Sequence, residues 1–339
     1  MARVAVLMSG GMDSAGAALI LKRQGHRVEG VTARLQAAGG DEIGSVHAAE
    51  FCRLLGIPHT VVDLRSEFRS EVLHPFVFGY TAGKTPNPCA RCNRNIKLGR
   101  LAGLMRERGF DLVATGHYAR TGEMAGGRTF FEPADKRKSQ VYFLSLVKPE
   151  VLEFLLLPLG EYRKNDVRRL LDEVGIPAFT RESQDLCFVA GTRYHDVLRR
   201  EGYVFEQGVV LDSAGKAVGT HKGHAAYTLG QRFGLRGKRY YVIEKHPETN
   251  TLVIGERDEA LKYEITAVGI NSFLPLPAAG SAGLTIRYRY NTAPVGARID
   301  SVAENRLTVV TDQPCFAPAP GQVLAGYVGG CLVFGGTIA

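Results

Sequence analysis

Val4-Ala5-Val6-Leu7-Met8-Ser9-Gly10-Gly11-Met12-Asp13-Ser14 is the stretch from which the fold of this 339-residue chain can be read. Its first five residues form a continuous apolar run closed by glycines, the pattern of a strand buried on both faces of a parallel sheet. An Ala/Leu-rich run through Lys22 follows and predicts a helix. The paired glycines permit a sharp turn that brings bare N–H groups against a ligand, with the positive end of the helix aimed at the same point. That geometry suits phosphate. Ser9 and Ser14 add hydroxyl donors, whereas Asp13, an acid facing an anion, needs a cation between them, and a Mg²⁺ bridge supplies one. The other reading of so short a motif is a glycine turn capped by Ser or Asp.

Outward from this stretch, short apolar runs alternate with helical ones: strands at 28–33, 59–64 and 112–115, and a helix at 46–55. Strands separated by helices predict a right-handed parallel α/β layer structure. Ligands in such sheets sit beyond the carboxyl ends of the strands, where Ser9, residues 32–34 and Thr115-Gly116-His117 all fall. Phe78-Gly79-Tyr80-Thr81-Ala82-Gly83-Lys84-Thr85 imitates G-x-x-x-x-G-K-T, but its first glycine is misplaced by one residue and no apolar strand precedes it, so it reads as loop. The Ser9 to Ser14 segment, S-G-G-x-D-S after the first strand, resembles instead the PP-loop of ATP pyrophosphatases. That resemblance implies cleavage of ATP between its α and β phosphates and adenylation of a carbonyl oxygen.

Composition narrows the class. Hydrophobic residues make up 45% and charged residues 22%, ordinary for a globular chain, and a formal charge of +8 suits a polyanionic partner. No run of eighteen apolar residues and no signal-like N-terminus occurs, so a soluble, cytoplasmic protein without membrane contact is expected. Six unevenly spaced cysteines are not a secreted disulfide framework and point to metal binding or reactivity.

Thr85-Pro86-Asn87-Pro88-Cys89-Ala90-Arg91-Cys92-Asn93-Arg94-Asn95-Ile96-Lys97 is the most chemically loaded segment. Two prolines forbid a helix before Cys89 and a basic periodic run allows one after it. A helix start, with Arg91 and Arg94 nearby, is expected to lower the pKa of Cys92 or Cys89 and make it a nucleophile or metal ligand. A structural zinc knuckle is the competing reading, but no second C-x-x-C or H-x-x-x-H supplies the missing ligands.

Residues 140–205 read as short amphipathic helices at 151–157, 164–174 and 194–201, punctuated by Pro149, Pro158 and Pro177, with Cys187 isolated beside Phe188 and Val189. From about 206, glycines and short β runs recur: 240–244 and 251–255 flank a hairpin signal, and 284–290, 298–302, 307–311 and 323–327 follow. This predicts a small all-β unit, a barrel. In Arg287-Tyr288-Arg289-Tyr290 strand alternation would put two arginines on one face and two tyrosines on the other, fit for phosphate pairing and base stacking or for a solvated edge. Cys315 and Cys331 lack metal spacing and read as structural.

Taken in order, seven segments resemble one family along nearly the whole chain, the tRNA-specific 2-thiouridylases (MnmA): Ser9 to Ser14, Thr85 to Pro88 with Cys92 to Lys97, Ala114 to Arg120, Lys138 to Leu144, Ser183 to Phe188, His221-Lys222-Gly223 with Tyr227 to Arg232, and Pro320-Gly321-Gln322. The resemblance implies replacement of the 2-oxygen of the wobble uridine of certain tRNAs by sulfur, with ATP and Mg²⁺. By it, Leu7, Met8, Ser9, Gly10, Gly11, Met12, Asp13, Ser14, Ala33 and Gly116 line the ATP site. Asn87, Pro88 and Cys89 meet the target base, Lys138, Ser139 and Gln140 the tRNA, and Arg287 and Tyr288 the tRNA from the β unit. It also implies that Cys187 carries a persulfide received from a sulfur-donor protein, that Cys92 releases the sulfur, and that a disulfide joining Cys92 and Cys187 remains to be reduced.

Three departures stand out: Cys89 where members carry Asp, Ser139 for the Asp of K-D-Q, and Met12 for Val, besides a short segment around 36–44. With Cys89, a C-x-x-C plus Cys187 set arises, and three thiolates would leave one iron of a [4Fe–4S] cluster open to bind sulfide. The expectation is therefore an α/β protein: a PP-loop nucleotide-binding domain at 1–140, a small helical central domain carrying Cys187 at 141–205, and a β-barrel-like, tRNA-contacting domain at 206–339, acting as a monomer. Sulfur passes through Cys92 and Cys187, by persulfide or by a cluster on Cys89, Cys92 and Cys187. Another PP-loop adenylating enzyme would leave the thiols and the basic β unit without a role, and a noncatalytic RNA-binding protein would not need Asp13, Ser14 and three thiols.

Overall fold

The computed structural model describes residues 1–36, 41–176, 186–189, 192–235 and 237–339, with side chains described throughout except at 41–43. β1 (Arg3–Leu7), α1 (Met12–Arg23), β2 (Arg27–Arg34), α2 (Asp41–Leu55) and β3 (His59–Asp63) alternate as expected. A helical run follows, with α3 (Arg65–Phe68), a π-helical turn (Arg69–Leu73) and α4 (His74–Thr81). After the proline loop come α5 (Pro88–Cys92), a second π-helical segment (Asn93–Leu101), α6 (Ala102–Glu107) and β4 (Leu112–Thr115). The sheet order is β3-β2-β1-β4 with all pairs parallel, and a short fifth strand, β7 (Leu155–Leu156), joins beside β4.

β7 corrects two expectations. Residues 149–153 are a 3₁₀ turn rather than the start of a helix, and the strand that follows belongs to the first sheet. The segment at 141–176 is therefore not a separate helical domain. α7 (Val141–Leu144) and α8 (Lys164–Asp172) pack on the α/β unit, and α1 meets α8 face to face. The sequence reason is a small residue: a Cβ on Gly16 of α1 would lie 2.3 Å from Val167 Cγ1 of α8, so only glycine allows this approach. Val167 is fully buried there, worth roughly 1.5–3 kcal/mol of transfer free energy.

The β region is also divided. β8 (Gly208–Asp212), β9 (Ala217–His221), β10 (Arg232–Leu235), β11 (Lys238–His246) and β12 (Thr251–Gly255) form a five-stranded sheet in the order β10-β11-β12-β8-β9, entered through α9 (Tyr194–Arg200). The hairpin expected around 246–250 is the β11–β12 pair. β13 (Leu261–Ser272), β14 (Leu284–Arg287), β15 (Val295–Ala303), β16 (Arg306–Phe316), β17 (Val323–Val328) and β18 (Cys331–Ile338) run β13-β16-β15-β14-β17-β18, and β18 pairs back with β13, closing a barrel of antiparallel strands. Closure removes exposed edges. A hairpin from the first half, β5 (Arg120–Met124) and β6 (Gly127–Phe131), extends this sheet through β18, with Cys331 opposite Phe131. The boundary expected at 140 is thus crossed by strand pairing, and one core cluster runs from Ala5 through Cys92 to Leu332. No helix among the described residues is long and apolar enough to cross a membrane.

Candidate active site

β1 and β4 are adjacent, and the chain leaves them toward opposite edges of the sheet, which opens a ligand crevice beyond their carboxyl ends. The Ser9 to Ser14 turn fills one wall. Ser14 Oγ donates to the Gly11 carbonyl at 2.8 Å and accepts from Ser9 N–H at 3.3 Å, and Gly11 N–H reaches Ser9 Oγ at 3.4 Å. Gly10 has φ +77°, and a Cβ there would meet the Gly44 carbonyl oxygen at 2.1 Å, so both conformation and contact demand glycine. Gly116, after β4, is pressed against the first turn of α1: a Cβ would lie 2.6 Å from Asp13 C and 2.8 Å from Ser14 N. Leu7 and Met8 are buried beneath the turn, Met12 is half-buried beside it, and Ala33 sits at the end of β2 opposite Val62. The expected ATP-site residues are therefore brought together at the carboxyl edge of one sheet.

Asp13 is held from two sides. Tyr118 Oη donates to Oδ1 at 3.1 Å, and Lys164 Nζ lies 3.4 Å from Oδ2, with side chains 15% exposed at Lys164 and 31% at Asp13. Lys164 reaches this point because Gly16 lets α8 dock on α1. Both carboxylate oxygens are engaged by protein groups, and the positive charge beside Asp13 is the Lys164 ammonium. Lys164 also opens a basic groove of 580 Å³, lined by Arg137, Lys138, Arg163, Arg168 and Arg169 with Asp135 and Asp166 interspersed.

The thiols gather around a different cation. Asn87 caps α5 by accepting Ala90 N–H at 3.1 Å, and Pro88 occupies the first helical position. Cys89 is half-buried, Cys92 is 6% exposed and Cys187 is exposed. Phe188 anchors the turn carrying Cys187, packing edge-on against Phe68 and Phe76 at centroid distances of 5.8 and 5.0 Å in the core cluster that holds Cys92. Residues 183–185 of the expected motif lie outside the described residues.

Arg91 and Arg94 do not serve these thiols, contrary to expectation. Arg91 Nε donates to the Glu71 carbonyl at 2.5 Å and an Arg94 guanidinium nitrogen to the Leu146 carbonyl at 2.7 Å, so both cations are spent on helix packing. Lys97 takes their place. It follows Cys92 by five residues, and the π-helical pitch of 93–101 returns position i+5 to the same face, which α-helical pitch would not. Burial works against its charge, but Cys92, Cys187 and Cys89 outweigh it and hold the ammonium above the usual lysine range. Burial pushes the Cys89 thiol up, with Lys97 pulling partly back, so the expected lowering at this position is reversed.

Lys97 also faces the nucleotide side. Burial first, and then Lys97, push His117 down to about 3, which leaves it neutral. His117 Nδ1 is 2.8 Å from Thr115 Oγ1, at the end of β4 beside Gly116. Among the described residues no three His, Cys, Asp or Glu side chains form a group that could hold a metal ion, so the expected [4Fe–4S] cluster on Cys89, Cys92 and Cys187 finds no ready-made site here.

The expected tRNA-contacting residues divide. Lys138 is half-buried and lines the basic groove. Ser139 is 3% exposed and accepts Val141 N–H at 3.4 Å within its own turn, and Gln140 Oε1 accepts Tyr118 N–H at 2.9 Å, so Ser139 is withdrawn from the surface and Gln140 supports Tyr118. Tyr288 is 6% exposed, with its hydroxyl accepting Phe316 N–H at 3.1 Å, and Arg287 pairs with Glu132 at 3.9 Å, so neither offers an RNA surface here. The strand ends at Arg287, which breaks the expected alternation through Tyr290. The barrel acts on the proline loop instead: Gln322 Nε2 donates to Thr85 O at 2.9 Å, and Thr85 N–H donates to Pro320 O at 2.7 Å. Asn87 and Pro88 are therefore placed by the barrel.

Sequence reasoning missed Lys97 as a charge centre and Lys164 altogether. A lone lysine among Ile96, Leu98 and Leu101 was the available signal for Lys97; for Lys164 there was none, because its partner lies 151 residues away.

Residues 2–191 match the family described as tRNA methyl transferase HUP domain, 196–256 the tRNA methyl transferase PRC-barrel domain, and 262–338 the aminomethyltransferase beta-barrel domain. The chain is 40% identical to the tRNA-specific 2-thiouridylase MnmA of Persephonella marina, covering 99% of both chains, and 40% identical to that of Aquifex aeolicus, covering 99% of this chain and 98% of the other. Among solved structures it is similar to the U34-tRNA thiolase NcsA from Methanococcus maripaludis with its [4Fe-4S] cluster, at 18% identity and a TM-score of 0.37 over 59% of this chain and 65% of that one. With three domain families matched in order and relatives at this identity across the full length, the chain belongs to the tRNA-specific 2-thiouridylase (MnmA) family.

Proposed function

We propose that this chain carries out tRNA 2-thiolation by adenylating the C2 oxygen of a wobble uridine at the Ser9 to Ser14 turn and delivering sulfur from Cys187 through Cys92. The observation that carries this reading is the position of Lys97, whose charge acts on His117 at the nucleotide edge of the sheet and on Cys89, Cys92 and Cys187. One half-buried cation thus bears on both half-reactions.

ATP supplies the activating group. Backbone N–H groups at the start of α1, with Ser9 Oγ and Lys164, face the phosphates and stabilise the departing pyrophosphate as charge accumulates on it. AMP on the uracil oxygen converts a poor leaving group into a good one. Exposed Cys187 accepts a persulfide from a sulfur-donor protein. The Cys92 thiolate attacks Cys187 Sγ, the bond to the outer sulfur breaks, and hydrosulfide leaves as a disulfide forms between the two cysteines. Hydrosulfide adds to C2, the C2–O bond breaks, and AMP departs carrying the oxygen and the electron pair. Lys97 offsets the negative charge on the thiolate and on the hydrosulfide. Cations of the groove beside Lys164, Lys138 among them, pair with tRNA phosphates.

The test is pyrophosphate release with purified chain, ATP and tRNA, followed by nucleoside mass analysis. Release that requires tRNA, with 2-thiouridine formed once a persulfide donor is added, is the expected result. Release indifferent to tRNA would overturn the reading.

A further inference from the structure

The sulfur-transfer cycle ends with Cys92, 6% exposed, in a disulfide with Cys187 that must be cleared before Cys187 takes up the next persulfide. Cys89 stands three residues before it on the same helix, α5, so the two thiols are one turn apart. Residues at this spacing face the same way. Their Cα atoms fall within the roughly 4.4–6.8 Å that a disulfide spans. Lys97 carries a charge that acts on both of them and on Cys187. Cys89 is half-buried, intermediate in access between hidden Cys92 and exposed Cys187.

We propose that Cys89 is the resolving thiol of the cycle: it attacks Cys92 Sγ in the disulfide joining Cys92 to Cys187, closes a disulfide with Cys92, and returns Cys187 as a thiol ready for the next persulfide. The inference rests on the sulfur-transfer reading above. In this exchange the bond between Cys92 and Cys187 breaks, the bond between Cys89 and Cys92 forms, and the proton leaving Cys89 ends on Cys187; oxidation state is conserved. A dithiol reductant then reduces the Cys89 to Cys92 bond, becoming a disulfide itself. Attack by a thiol held one helical turn away outruns attack by a dilute external thiol through its effective concentration.

The experiment uses the full chain with Cys187 loaded as persulfide, given ATP and tRNA, quenched with an alkylating agent and mapped without reduction. The wild-type chain should be trapped with Cys89 joined to Cys92. Cys89→Ser and Cys89→Ala should be trapped with Cys92 joined to Cys187. Both should release a burst of about one thiolated tRNA per active site and then turn over more slowly by about tenfold or more with a monothiol reductant, as expected when an intramolecular attack is lost. Wild-type chain trapped with Cys92 joined to Cys187, or continuous wild-type turnover by the two variants, overturns the relay. A wild-type chain that yields no thiolated tRNA even in the first turnover overturns the sulfur-transfer reading beneath it.

Discussion

Lys164 Nζ lies 3.4 Å from Asp13 Oδ2, joining the first residues of two helices that are 151 positions apart in the chain. The pair keeps an acid in a site built for phosphate. Without Lys164, the Asp13 carboxylate would face the triphosphate with a single hydroxyl partner, Tyr118. Lys164→Met should therefore lower tRNA-dependent pyrophosphate release by about 10²-fold, the scale of losing one preorganised charge partner. Asp13→Ala should also lose adenylation. Both variants should keep tRNA affinity, measured by filter binding, and a uniform loss of binding in either would refute the assignment.

Gly16→Ala tests how that pair is positioned. The added methyl would lie 2.3 Å from Val167 Cγ1, so α8 must move away from α1. Overpacking of this kind costs roughly 1–3 kcal/mol. A lower melting temperature should accompany weaker adenylation, since Lys164 moves with α8. The double variant Gly16→Ala with Val167→Ala should recover both. Recovery of stability without recovery of adenylation would separate Lys164 from the helix contact.

The part of the fold that was legible in the sequence is the part whose signals are local. Val4 to Met8 is apolar without interruption and therefore had to be a central parallel strand, and the turn after it followed from Gly10 and Gly11. β7 was not legible, because two residues, Leu155 and Leu156, cannot show a period and gain their identity only from pairing with Val113 and Ala114. Arg287 to Tyr290 misled for the opposite reason: alternation was present, but the strand stops at Arg287, and Tyr288 turns into the barrel core. The thiol site was found through the resemblance, while its electrostatic centre depends on a π-helical pitch at 93–101 that no residue pattern announces.

His117 gives a pH dependence of known sign. Its folded value is pushed down to about 3 from an ordinary 6.5, so between these values the unfolded chain binds a proton that the folded chain refuses. Stability is unaffected above pH 6.5 and falls as pH drops below it, by about 1.4 kcal/mol from this group at pH 5.5. His59, His195 and His221 are lowered too and act in the same direction. The group is isolated by difference: His117→Gln should flatten part of the acid limb of a melting temperature against pH curve. An identical limb in the variant would remove His117 from the account.

Cys92→Ser and Cys187→Ser should each abolish thiolation while leaving tRNA affinity near normal, because neither removes a cation. Pyrophosphate release should persist in both, since the nucleotide turn is untouched. Binding of tRNA should weaken steeply with salt in the wild-type chain and in both variants alike, as phosphate contacts release counterions. Robust sulfur transfer by either serine variant would remove that residue from the pathway.

Gln322 connects the barrel to the chemistry without touching it. Its amide nitrogen donates to Thr85 O at 2.9 Å, and its carbonyl accepts from Tyr142 Oη at 3.4 Å, so the loop leading into Cys89 and Cys92 is held by a residue from the far end of the chain. Gln322→Glu replaces the donor with an oxygen that repels the Thr85 carbonyl, while Thr85 N–H keeps its bond to Pro320. Small displacements at a reacting centre cost up to about 10²-fold in rate. The expected signature is uncoupling: pyrophosphate is still released with tRNA present, but 2-thiouridine formed per pyrophosphate falls about tenfold or more. Equal loss of both products would place the effect at adenylation and contradict a role for the barrel in setting the thiols.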